Sequence, residues 1–185
     1  MTRSLTASLA VAAAFVLAGC STPSLNGVPE SDRVDLDALE GVWVSEDTTV
    51  RIEAGDDKLY MGDTNGSRVR VQIAIADFDG RYVADATLDT DSAEHEDPIL
   101  LSFVVPVHKF ARIALEGDTL TYAELKDGWV TDHATGSLGG LTKVGDQHVL
   151  TGSEAQVHAL LAKALDDEDA WEDSKTFTRL KKGED

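Results

Sequence analysis

Residues Ser67 to Ala76 read Ser-Arg-Val-Arg-Val-Gln-Ile-Ala-Ile-Ala, and their alternation decides the fold class. Val69, Val71, Ile73 and Ile75 share one side of an extended chain, while Arg68, Arg70 and Gln72 share the other. Successive side chains of a strand point to opposite faces, so a period of two puts one face in a core and leaves the other wet. That is the habit of an antiparallel sheet. Upstream, Thr48 to Ala54 repeats the pattern, with Val50 and Ile52 opposed to Thr49, Arg51 and Glu53. Lys58 to Gly62 is a short strand, bounded by Gly55-Asp56-Asp57 and by Asp63-Thr64-Asn65-Gly66. The Asn-Gly pair suits the positive φ angles of a two-residue hairpin turn. Downstream the spacing predicts strands at Arg81 to Leu88, Ile99 to Val105, His108 to Leu115 and Thr119 to Leu125. Asp79-Gly80 and Glu116-Gly117-Asp118 supply tight turns between them. Short strands at such regular intervals predict a mainly β domain, an antiparallel up-and-down meander forming a barrel or half-barrel.

The period then changes. Between Thr151 and Leu165, Val157, Leu160, Leu161, Ala164 and Leu165 recur at helical spacing, which predicts an amphipathic helix lying on the sheet. Thr151 and Glu154 have the spacing of a capping box at its start. After an acidic break, Asp166 to Asp173, the alternating Lys175 to Leu180 predicts a short final strand. Lys126 to Ala134, which carries Trp129 and Val130, reads as a short helix.

The chain has 185 residues, 42% of them hydrophobic, enough at this length for one domain with a buried core. Lys and Arg number 16 against 34 Asp and Glu, a formal charge of −18. Such an excess of carboxylates repels phosphates, which argues against nucleic acid as a partner and against electrostatic docking on anionic lipid.

The first residues read as an address. Arg3 supplies a positive start, and Leu5 to Leu17 is an uncharged apolar run ending in small residues, the layout of a secretory signal peptide over 1–19. The run is shorter than the ~20 residues a transmembrane helix needs. Leu17-Ala18-Gly19-Cys20 resembles the bacterial lipobox. The resemblance implies cleavage before Cys20, acylation of that residue with palmitate-type chains, and a lipoprotein held in the cell envelope. Ser21 follows the cysteine, and in Gram-negative families a residue other than Asp there implies sorting to the outer membrane, facing the periplasm. Cys20 is the sole cysteine, so there is no disulfide to form, and lipidation gives the thiol a use. Cleavage removes Arg3 and no carboxylate, so the mature chain is one unit more acidic. Residues 20–35, rich in Ser, Pro and Gly, read as the lipidated N-terminus and a flexible stalk, with a single β domain over 36–182.

Gly41-x-Trp43, just before the meander, resembles the Gly-x-Trp motif of lipocalin-like β-barrels. In that superfamily the tryptophan closes the narrow end of the barrel, and an arginine of a late strand lies over its indole. The resemblance implies Trp43 and Arg179 as that structural pair. The order of Gly-x-Trp, meander, helix and short strand is similar over Leu36 to Leu180. Pro106 to Ile113 is also similar to stretches of bacterial envelope lipoproteins, a resemblance that implies no activity.

Chemistry-bearing motifs are sparse. Gly136-Ser137-Leu138-Gly139-Gly140 does not match a nucleophile elbow, and no phosphate-binding loop is present in the sequence. His95, His108, His133, His148 and His158 form no close metal-ligand pair, so no metal or cofactor is expected. The acidic stretch Asp89 to Asp97, with Asp89, Asp91, Glu94, Glu96 and Asp97, is the best hard-cation candidate but reads first as a solvated loop. The expectation is therefore a non-enzymatic envelope lipoprotein acting as an interaction or structural module, held to the membrane by its lipid and meeting an envelope protein. The alternative is a lipocalin-like carrier of a lipid or small hydrophobic ligand, with Val69, Val71, Ile73, Phe103 and Val105 lining the cavity.

Overall fold

Among the described residues nine strands run through one sheet, and eight of them close it into a barrel. The computed structural model describes residues 21–46, 48–55, 59–63, 70–89 and 106–181. The barrel strands are β2 (Gly41–Val44), β3 (Thr49–Ala54), β4 (Leu59–Asp63), β5 (Arg70–Phe78), β6 (Arg81–Asp89), β7 (His108–Glu116), β8 (Thr119–Glu124) and β11 (Lys175–Arg179). Each pairs antiparallel with its neighbour in that order, and β11 returns to β2. The sequence left barrel and half-barrel open; the β5–β6 and β11–β2 pairings close the ring. A two-residue β1 (Arg33–Val34) adds to β5 beyond the reach of β4.

Alternation along each strand sorts the side chains into two cores. Trp43, Val50, Ile52, Met61, Val71, Ile73, Ile75, Ile113, Leu120, Tyr122 and Phe177 fill the barrel. The second core lies outside it, against the β5–β8 wall. There Ala76, Phe78, Val83 and Phe110 meet α1 (Asp127–His133) and α2 (Glu154–Leu165), which contributes Val157, Leu160, Leu161, Ala164 and Leu165. β5 and β6 are therefore apolar on both faces over part of their length, unlike a half-wet strand. Among the described residues no helix is long and apolar enough to cross a membrane.

The structure departs from the sequence reading at three further places. Helix α2 is capped by Ser153, whose N–H donates to Gln156 Oε1 at 3.0 Å, and not by Thr151, whose own N–H donates to Gly140 O. A hairpin, β9 (Leu141–Val144) and β10 (Gln147–Leu150), turns at Gly145 where no strands were expected. The segment read as a flexible stalk is packed: Thr22, Ser24 and Val28 are buried. Its Ser, Pro and Gly content suits a linker, but it equally suits a strap whose small residues let it lie flat on a sheet. The expected strand Ile99 to Val105 lies outside the described residues.

Candidate functional site

The barrel has a closed end and an open one. At the closed end the fully buried Trp43 donates its indole N–H to Leu39 O at 2.8 Å, and the Arg179 guanidinium carbon lies 4.2 Å from the ring centroid. Arg179 also donates to the carbonyls of Glu40 and Ala38, and its Nε is 3.5 Å from Asp118 Oδ1. Gly41 makes room for this arrangement. Its φ is +138°, a region open to glycine, and a Cβ there would stand 2.9 Å from the Arg179 guanidinium.

Above the plug the barrel keeps an apolar hollow of about 90 Å³. In its wall Ala84 of β6 pairs with Ala111 of β7, and Ala86 with Lys109, and where these strands carry alanine the interior falls short of the volume that larger residues supply elsewhere. Lys109 and Glu124 line the end away from Trp43. Tyr122 stands beside them. Burial pushes its hydroxyl above the usual phenol range, against a smaller opposing pull from Lys175, whose ammonium is in turn raised by its bond to Tyr122.

Of the expected lining residues, Val71 and Ile73 point into the barrel core. Val69, Phe103 and Val105 lie outside the described residues, as does Cys20. The same holds for Asp91, Glu94, Glu96 and Asp97 of the acidic stretch, whereas Asp89 is buried on the outer face with Arg70 Nη2 at 3.2 Å.

The strap carries the polar chemistry that sequence reasoning missed. Ser24 exchanges backbone hydrogen bonds with His108, at 2.9 and 2.8 Å, and Leu25 and Pro23 pair with Leu150 of β10. Asp85, buried on the outer face of β6, holds His108 Nδ1 at 2.8 Å through one oxygen and accepts the Val28 N–H at 3.0 Å through the other. Gly27 crosses directly over this pair, and a Cβ there would collide with Asp85 and come within 2.6 Å of the imidazole. The Asp85 carboxylate thus fastens the strap while the imidazole holds that carboxylate, and His108 meets the strap through its backbone. The available signal was an aspartate at an outward position of a strand whose neighbour Val83 is also outward and buried.

The other described histidines are engaged separately. His133 Nδ1 meets Trp129 O at 2.8 Å, His148 Nδ1 lies 3.4 Å from Thr131 Oγ1, and His158 stacks on Phe78. Among the described residues no three His, Cys, Asp or Glu side chains are grouped to hold a metal ion. Compared with protein-family models, curated proteins and solved structures, the chain matches none. The functional reading therefore rests on its own residues.

Proposed function

We propose that the chain is a lipid-anchored module of a bacterial cell envelope, with a lipocalin-like barrel that serves to engage a protein partner and carries no catalytic centre. One observation carries this reading: the side chains with most chemistry to offer, Asp85, His108 and Arg179, are each engaged with the chain's own backbone or with one another. The leader motif ending at Cys20 supports the anchor, and the Trp43 and Arg179 stack supports the lipocalin-like layout. The test fractionates cells expressing the full chain and its Cys20→Ser variant, then takes a native mass spectrum of the detergent-extracted protein. The wild type is expected with membranes, the variant in the soluble fraction, and the spectrum free of small-molecule adducts. Retention of the variant on membranes refutes the anchor.

A second reading, a carrier of a small hydrophobe, is favoured by the apolar hollow itself. Its 90 Å³ is well below the roughly 300–1,000 Å³ of common ligand pockets, so it suits a ligand group of only a few carbons. A stoichiometric apolar adduct in the same spectrum would establish this reading instead.

A further inference from the structure

The strap leaves almost no slack between the domain and residue 20. Ser21, Thr22 and Ser24 are all buried, and Thr22 Oγ1 donates to Asp127 at the start of α1. Adjacent Cα atoms are about 3.8 Å apart, so a lipid on Cys20 begins within a few ångströms of the folded surface. This rests on the anchor reading above. Ser21 sits in a surface recess with Val144, Asp146, Gln147 and His148 of the β9–β10 hairpin. Val144, beside the hairpin's turn, is 62% exposed, the most exposed of the large apolar residues described.

The recess belongs to one end of the barrel. Ser24 joins the first residue of β7, and Asp127 comes three residues after Glu124, the last of β8. The turns Asp79-Gly80 and Gly117-Asp118 and the Trp43 plug lie at the opposite ends of those strands.

We propose that the β9–β10 hairpin tip is a membrane-contacting surface: the bilayer that holds Cys20 is its partner, with Val144 in the interface and the Trp43 end pointing away. Length supports the bilayer as occupant, because a packed strap cannot lift the hairpin clear of the leaflet. Chemistry agrees, since an apolar side chain set between Lys143 and the turn residue Asp146 suits the boundary of zwitterionic headgroup and acyl chain, while the acidic remainder of the chain is repelled from anionic lipid. The anchor thereby sets orientation as well as location.

The test uses the full lipidated chain in phosphatidylcholine vesicles. With Cys20 acylated, a single new thiol takes a nitroxide label, so Val144→Cys and Glu116→Cys report the two ends separately. Relative accessibility to oxygen over a polar nickel complex is expected to be several-fold higher for the label at 144 than at 116. A flexible Gly/Ser insert between Cys20 and Ser21 is expected to erase that difference while the protein still floats with vesicles. Floating protein with equal accessibility at both labels overturns the orientation and leaves the anchor standing. Protein that does not float overturns the anchor reading, and this proposal with it.

Discussion

Removing the plug is the sharpest test of how the barrel is held. Trp43→Ala takes a fully buried indole out of the closed end, and truncation of a buried Trp costs about 3–5 kcal/mol through lost transfer energy and the cavity left behind. It also strips Leu39 O of its 2.8 Å donor, a loss of about 1 kcal/mol, and removes the face on which Arg179 rests. Arg179 keeps its bonds to Glu40 and Ala38, so the stacking loss adds little, and the whole comes to about 4–6 kcal/mol. Domain stabilities are about 5–15 kcal/mol, so the variant sits close to unfolding. At about 2–4 °C per kcal/mol for a domain of this size, the melt should fall by about 10–20 °C. The assay is a circular-dichroism melt with a urea titration of the Cys20→Ser background. Trp43→Phe, which keeps most of the packing and loses the N–H, should cost about 1–2 kcal/mol in the same titration. A Trp43→Ala melt within 2 °C or so of its parent would refute the plug.

Asp85→Ala leaves the Val28 N–H and His108 without their acceptor, at a cost of about 1–3 kcal/mol, and limited proteolysis should cut within residues 21–34 before the barrel melts. Cleavage elsewhere first would show that the strap is held by other means. Arg179→Lys should not restore wild-type stability, because an ammonium cannot bridge two carbonyls while lying flat on an indole; a wild-type melt would contradict this. Ala86→Leu adds volume next to the hollow and should be tolerated within about 1.5 kcal/mol, whereas a loss of 3 kcal/mol or more would mean that the space is not there. Tyr122 and Lys175 both have raised folded-state values. Their contribution is present below the unfolded pKa of each and is lost as pH rises through the folded one, so stability should fall in the alkaline range above about pH 10 and fall less in Tyr122→Phe. Equal slopes for the two proteins would remove the pair from the account.

The sequence made the barrel legible because its inward faces are written in alternation, as Val71, Ile73 and Ile75 show, and because its turns are marked by glycine. The outer core was harder to read. β6 runs Arg-Tyr-Val-Ala-Asp-Ala-Thr-Leu-Asp, where Tyr82, Ala84 and Ala86 face the interior while Val83 and Asp85 are buried outside, so residue polarity no longer tells inside from outside. The hairpin β9–β10 was missed for the opposite reason. Thr142, Lys143 and Val144 are exposed along β9, and a strand that buries little leaves no hydrophobic pattern to read. The strap was misread because its fastening comes from Asp85 and His108, more than fifty residues away, and a local window carries no trace of that.

Closure itself was beyond pattern reading, and the structure explains why. β5 and β6 pair over nine positions, but β11 meets β2 at only two, Thr178 with Val44 and Arg179 with Trp43. So short a ladder supplies few backbone bonds, and side chains must make up the difference. Arg179 does so from one position: it reaches across the seam to Glu40 and Ala38, lies on the Trp43 ring, and approaches Asp118 in the β7–β8 turn. A single guanidinium therefore ties together the segment before β2, the plug and the far turn, a task for which its planar fork of donors is suited. The glycine of Gly-x-Trp belongs to the same device, since any larger residue at 41 would push that guanidinium out of place. The two short motifs, 138 residues apart at Gly41 and Arg179, are the two halves of one closure.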